Sequence, residues 1–299
     1  MNEVTAFAPG RVNLIGDHTD HSGGLVLPMA IQLGTTASVV RGGADDVVRL
    51  RSETEAGDAV VPLRPGPAAS YEPAWARYVA GVVHQVQPEV GLRGIVRTTL
   101  PAGVGLSSSA ALEVAVALAL GFEGTPLELA RACQRAEQAA TGVPSGIMDQ
   151  LCSAAGVEGH ALLIDCYSLD VQPVPVPEQA RIVVVDSGQP RTLVGSPYAE
   201  RVAQVTAAEA VVGPLRLARP EHLEAIDDEL VRRRARHVVT ENARVRAAAA
   251  ALATGDLFTV GEAMAASHAS LRDDFEVSTG ALDDLVERLL DTPGVWGAR

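Results

Sequence analysis

Two stretches of this chain concentrate residues that could do chemistry. Leu100–Leu112 reads Leu-Pro-Ala-Gly-Val-Gly-Leu-Ser-Ser-Ser-Ala-Ala-Leu and runs directly into an apolar segment. A helix start presents backbone N–H groups without intrahelical partners and carries partial positive charge. Glycines let such a backbone approach an anion closely. Gly103, Val104, Gly105, Leu106, Ser107, Ser108 and Ser109 therefore read as a phosphate cradle. The chain contains no lysine. That excludes a Walker A loop, which needs Gly-Lys-Ser/Thr, and a protein kinase, which needs a strand lysine on the phosphates. A nucleotide held here depends on backbone amides, serine hydroxyls and a metal ion. The second stretch, Pro9–Gly24, packs Arg11, Asp17, His18, Asp20 and His21 between glycines. Carboxylates accept from sugar hydroxyls, and histidine donates or accepts, so the segment suits a small polar ligand. A solvated loop with internal Asx turns is the alternative, and the Asp-His-Thr-Asp-His run also raises a metal-dependent hydrolase. The remaining histidines occur singly, which counts against that reading.

The elements that must position these residues are partly legible. Thr36–Arg41, Val47–Arg51, Gly94–Leu100, Leu162–Cys166 and Arg181–Asp186 are short, β-branched and turn-bounded, as strands are. Ala110–Leu120 continues the serine triplet as a helix. Thr125-Pro126-Leu127-Glu128 is a capping box with proline at the first helical position, and its helix should run to about Thr141 and stop at Gly142. A short helix is expected over Ser145–Ala155. Pro173–Pro177, with prolines at alternate positions, reads as an extended connector and domain boundary. Beyond it helices dominate: Tyr198–Val212, Glu221–Arg236, Val238–Thr254, Asp256–Leu271 and Thr279–Asp291. Arg232–Arg236 reads as a solvated helix face, with Asp228 paired to Arg232 and Glu229 to Arg233.

Composition narrows the classes. The 299 residues are 47% hydrophobic and only 3% aromatic, so the core is built from Ala, Val and Leu. A net charge of −13 argues against nucleic acid or an anionic membrane as partner. Val114–Leu120 and Ala247–Ala253, the most apolar runs, are too short to span a bilayer. Three cysteines without paired spacing fit a reducing cytoplasm, and the start lacks the basic residues of a secretory signal.

Taken together, the motifs resemble the GHMP family of small-molecule kinases and, within it, the galactokinases. Gly10–Asp20 resembles the family's sugar-binding signature, and Pro101–Ala111 its phosphate loop. Pro144-Ser-Gly-Ile-Met-Asp-Gln150 resembles the segment that carries its catalytic aspartate. Arg191–Tyr198, Arg236–Ala243 and Ser267–Phe275 match as well. The resemblance implies an α+β, two-domain GHMP-kinase-like fold, with a ribosomal-S5-like α/β domain over residues 1–175 and a helix-rich, ferredoxin-like domain over 176–299. It implies ATP-dependent phosphorylation of galactose at the anomeric hydroxyl, giving galactose 1-phosphate and ADP. A kinase for another hexose, such as N-acetylgalactosamine, and a sugar- and ATP-sensing regulator on the same fold are the alternatives. Asp149 would take the sugar hydroxyl's proton, and Arg11 would stabilise charge on the transferring phosphoryl group. Asp17, His18, Thr19, Asp20, Gly146 and Tyr198 would hold the sugar, and Ser109 and Glu137 would ligate Mg2+. Asp17 and His21 stand where galactokinases commonly carry Glu and Tyr, which bears on the choice of sugar. The family's third, glycine-rich signature should follow soon after Arg299, so the second domain is expected to be truncated. The partners expected are a small sugar and ATP, acting on a cytoplasmic monomer.

Overall fold

The computed structural model describes residues 2–42, 46–101, 103–189 and 198–299. Its elements follow in the order β1 (Asn2–Asn13), β2 (Leu25–Val26), β3 (Pro28–Arg41), β4 (Val47–Ser52), β5 (Asp58–Pro62), α1 (Ala74–Val86), β6 (Leu92–Thr98), α2 (Ser108–Leu120), α3 (Pro126–Thr141), α4 (Met148–Ala155), β7 (His160–Asp165), β8 (Val171–Pro175), α5 (Tyr198–Val212), α6 (Glu229–Thr254), α7 (Leu257–Asp273) and α8 (Gly280–Leu290). The chain divides into two compact units. One joins Met1–Val12 to Ala30–Gly156, and the other joins Asn13–Met29 to Val157–Arg299. The excursion Asn13–Met29 thus groups with the second unit, whereas the sequence suggests a single boundary near residue 175.

The first unit is a five-stranded sheet in the order β1-β3-β6-β4-β5 with helices packed on it. β6 pairs antiparallel with β3, Ala37 opposite Val96, and parallel with β4, Leu50 opposite Gly94. Its core is the aliphatic one expected from composition: Val48, Leu50, Val61, Val79, Val83 and Val96 meet Val114, Val116 and Leu129. α2 has hardly any polar face and is buried among α1, α3 and α4. α3 begins and ends where its caps say. The Thr125 hydroxyl accepts from the Glu128 N–H, the Glu128 carboxylate accepts from the Thr125 N–H, and Gly142 closes the helix at φ 72°.

The second unit is helix-rich, with a three-stranded sheet, β2-β7-β8, all of whose pairs are antiparallel. A separate core gathers Val205, Leu215, Leu223, Ile226, Val238 and Phe275. Several expectations need correction here. Pro173 and Pro175 lie in a strand, not in a connector. They face Leu162 and His160 from the edge of the sheet, where a missing N–H costs little. Arg181–Asp186 forms no strand, and Ile182–Val185 are exposed. The expected helices over Glu221–Arg236 and Val238–Thr254 become a 3₁₀ turn at Pro220–Ala225 and one unbroken 26-residue helix, α6. Asp228 does not pair with Arg232. Its carboxylate caps α6 by accepting from the Leu230 and Val231 N–H groups, and Arg232 pairs with Glu229 instead. Arg233 pairs with Glu276. Arg234 is buried, donating to Gln204 (2.9 Å), Asp274 O and the Glu276 carboxylate, so this face is not wholly solvated.

Candidate functional site

The phosphate-loop geometry follows from its glycines. Gly103 and Gly105 have φ of 75° and 78°, and Ser107 follows at φ 59° as the N-cap of α2. Three left-handed residues at alternate positions turn the chain sharply before the helix starts, and only glycine takes that conformation without strain. Leu106 does not face a ligand. Its side chain is buried against Leu100 and Ala111, with Val12 and Val104 packed alongside, so this residue can offer a phosphate only backbone. Gly10 on β1 accommodates that loop, since a Cβ there would stand 2.6 Å from Leu106 O and 2.6 Å from the Leu100 side chain.

The next residue, Arg11, donates forward to Asp149. Nε reaches Oδ1 at 2.7 Å and Nη2 reaches Oδ2 at 2.7 Å, a bidentate fork. Nη1 donates to Gly105 O at 2.8 Å, tying the same guanidinium to the phosphate loop. Asp149 lies in the first turn of α4, which is shorter at its start than the expected Ser145–Ala155. The Ser107 hydroxyl also donates to Asp149 Oδ2, at 2.5 Å. This contact links the cradle directly to the carboxylate, and no local signal in the sequence announces it. The carboxylate is held by three donors, yet 29% of its side chain remains exposed, enough for a ligand to reach it.

Ser109 and Glu137 also meet. The Ser109 hydroxyl donates to Glu137 Oε1 at 2.8 Å, and Glu137 Oε2 accepts from Ser145 Oγ (2.9 Å) and Gln150 Nε2 (2.9 Å). Gln150 reaches on to Glu113 Oε2 at 3.2 Å. Glu113 is a residue that sequence reasoning missed, because it sits within an otherwise apolar helix. Burial, and then the nearby Glu137 charge, push its carboxyl well above the usual range. Its Oε1 is buried and, among the described residues, without a hydrogen-bond partner. Gly146 lies beside Ser145 in the segment that enters α4. Among the described residues no group of three or more His, Cys, Asp and Glu side chains could hold a metal ion.

The sugar-signature residues lie in the second unit, except for Gly146. Thr19 is wholly buried, its hydroxyl placed 3.0 Å from Gly16 O and 2.7 Å from Leu25 O, so it shapes the loop. Asp17 accepts from Asn13 Nδ2 at 3.0 Å and pairs with Arg299. His18, at φ 61°, stacks on Phe275 with ring centroids 4.7 Å apart and lies 6.0 Å from Tyr198. Asp20 opens a 3₁₀ turn. His21 meets Tyr198 edge-on at 6.0 Å. Its pKa is pushed down to about 4 by burial and then by His237, and among the described residues Nε2 has no hydrogen-bond partner. Tyr198 begins α5, while the preceding match, residues 191–197, falls outside the described residues.

Residues 1–41 match the galactokinase galactose-binding signature, and residues 77–157 match the GHMP kinase N-terminal domain. The chain is 45% identical to the galactokinase of Canis lupus familiaris over 99% of its own length and 80% of that protein. With the galactokinase of Homo sapiens the identity is 44%, over the same shares of each chain. Its fold superimposes on that of Lactococcus lactis galactokinase complexed with galactose at a TM-score of 0.89, with 34% identity, 100% of this chain and 82% of that one covered. Methanococcus jannaschii mevalonate kinase shares the fold at a TM-score of 0.60 and 18% identity, covering 96% and 83%. On these likenesses the chain belongs to the galactokinase family of the GHMP kinases.

Proposed function

We propose that the chain transfers the terminal phosphoryl group of ATP to the anomeric hydroxyl of galactose, giving galactose 1-phosphate and ADP. The observation that carries this reading is the Arg11–Asp149–Ser107 contact in a chain whose relatives are galactokinases. Asp149 accepts the hydroxyl proton as the sugar oxygen attacks the terminal phosphorus, the new O–P bond forms, and the bond to the ADP oxygen breaks. Arg11 fixes the carboxylate's orientation and places positive charge where the phosphoryl charge spreads. The N–H groups at the start of α2 and the hydroxyls of Ser107, Ser108 and Ser109 cradle the phosphates. The nucleotide loop Gly103–Ser109 thus adjoins the proton acceptor by way of Ser107.

For Mg2+, Ser109 Oγ and Glu137 Oε1 fit as hard oxygen donors 2.8 Å apart. The ion, when bound, neutralises phosphate oxygens. Two protein ligands suit a cation that keeps water and phosphate oxygens for its other positions. Asp17, His18, Asp20, Tyr198 and the backbone of Gly146 hold the sugar, with Thr19 bracing the loop. A site that hydrogen-bonds hydroxyls rejects a wrong epimer by leaving buried polar groups unpaired. No helix among the described residues is long and apolar enough to cross a membrane. Three free thiols, Cys133, Cys152 and Cys166, support a cytoplasmic setting.

The test is ADP release with Mg-ATP across a panel of galactose, N-acetylgalactosamine, glucose and mannose. Turnover led by galactose supports the reading. Turnover led by another hexose redirects it, and binding of galactose and ATP without turnover establishes a sensor instead.

A further inference from the structure

We propose that Glu241 and Asn242, together with His237, are positioning residues for sugar recognition, acting from α6 on the backbone of Gly16–Leu25. The proposal rests on the galactose-kinase reading above and names the residues that set sugar affinity without belonging to the sugar signature. Positions 237 and 241 lie at i and i+4 on one unbroken helix and share a face, with 242 about 100° round the helix from 241. Each meets a backbone group more than two hundred residues away in sequence. Glu241 Oε1 accepts from the Gly16 N–H at 2.9 Å, Asn242 Oδ1 accepts from the Leu25 N–H at 2.7 Å, and His237 Nε2 lies 3.0 Å from Asp17 O. A carbonyl only accepts, so Nε2 carries the His237 proton. Burial lowers this histidine's pKa and favours the neutral ring, and Nδ1 lies 3.0 Å from Ser270 Oγ, whose hydroxyl donates to Asp274 Oδ2 at 3.0 Å.

The three contacts catch the loop at both ends and beside Asp17. They fix its path through backbone groups, leaving the identity of its side chains to be set separately. Gly16 completes the arrangement. It sits at φ 102°, and a Cβ there would be 2.7 Å from Leu25 O and 2.7 Å from Val26 Cα.

Glu241 also reaches Asp17 by a second route. Its carboxylate is fully buried, and it accepts from Arg244 Nε at 2.6 Å and from Ser267 Oγ at 2.6 Å. Arg299 Nη1 lies 3.4 Å from Ser267 Oγ, and the same guanidinium donates to Leu14 O at 2.6 Å and to Asn13 O at 3.2 Å while pairing with Asp17. A buried charge is costly unless it is paired and hydrogen-bonded, and this one is both. A purely structural anchor could be apolar. This one instead ends its bonds on Gly16 and, through Ser267 and Arg299, on the Asp17 carboxylate.

Glu241→Gln keeps an oxygen for Gly16 but turns an amide N–H toward Arg244. Asn242→Ala removes one acceptor and exposes no buried charge, so it carries the test should Glu241→Gln unfold. Steady-state kinetics of the full chain and both variants give KM for galactose, KM for ATP and kcat. The expected result is about a tenfold rise in galactose KM, with ATP KM and kcat within about twofold. Galactose KM within twofold of the unaltered chain overturns the inference alone. So does a parallel rise in both KM values with a fall in kcat, since that reports general loss of fold. An unaltered chain that turns over no galactose sinks the inference and the functional reading together.

Discussion

Replacing Arg11 by lysine keeps the charge and removes the fork. The arginine's contacts here include Nε and Nη2 to the two oxygens of Asp149, each at 2.7 Å, and Nη1 to Gly105 O at 2.8 Å. A lysine ammonium is a single point donor, so it retains one of these and loses two. Hydrogen bonds to charged groups contribute roughly 1.5–3 kcal/mol each. Because 29% of the Asp149 side chain is exposed, water replaces part of that, and about 2–4 kcal/mol remains as the net loss. At about 1.4 kcal/mol per factor of ten, kcat/KM should fall by roughly 30- to 1,000-fold. The loss should appear in kcat, because the fork orients the proton acceptor and steadies charge that develops in the transition state. The assay is coupled ADP release at saturating galactose and Mg-ATP, with galactose KM measured alongside. An Arg11→Lys variant within threefold of the unaltered kcat would refute the reasoning.

Three further outcomes follow from the geometry. Gly16→Ala should lower Tm by about 5 °C or more, because both the positive φ and the contact with Leu25 O are backbone constraints that no side chain can relieve; calorimetry checks this. Glu137→Gln should raise the Mg2+ concentration for half-maximal rate by about tenfold and leave galactose KM unchanged, as read from a magnesium titration. His21 sets a pH dependence. Its folded value of about 4 lies below the usual 6.5, so between those values the unfolded chain binds a proton that the folded chain does not. That stability is complete above pH 6.5 and is lost as pH falls toward 4, by roughly 3 kcal/mol at most. The drop in Tm from pH 7 to pH 4.5 should therefore be smaller in His21→Phe than in the unaltered chain.

Local chemistry was legible in the sequence, and long-range chemistry only through motifs. The caps of α3, its start at Pro126 and its stop at Gly142 are decided within a turn of the chain, and they fall where Thr125, Glu128 and Gly142 require. α5, α7 and α8 likewise lie close to the expected bounds. β8 escaped because alternating prolines argue against a strand, and only its edge position tolerates them. Arg181–Asp186 has strand composition, but among the described residues it meets no partner strand. The sequence pattern predicts helices over Glu221–Arg236 and Val238–Thr254, and α6 instead runs unbroken through His237. In fact Arg234, His237, Glu241 and Asn242 are buried polar residues facing distant partners. The Arg11–Asp149 and Ser109–Glu137 encounters bring together residues that the motifs had named. Ser107 and Asp149 are motif residues too, and the α6 clamps fall within the matched stretch Arg236–Ala243, but no local signal announces their contacts or that of Gln150 with Glu113, since each joins positions far apart in sequence.

Asp149→Asn tests the central claim most directly. The asparagine keeps the size of the side chain and an oxygen for Arg11 and Ser107, but it cannot take a proton from a sugar hydroxyl. Galactose binding, measured by titration calorimetry, should stay within about threefold of the unaltered chain, while kcat for ADP release should fall by at least about a thousandfold. A variant that still turns over galactose within tenfold of the unaltered rate would show that the carboxylate beside Arg11 is not the proton acceptor.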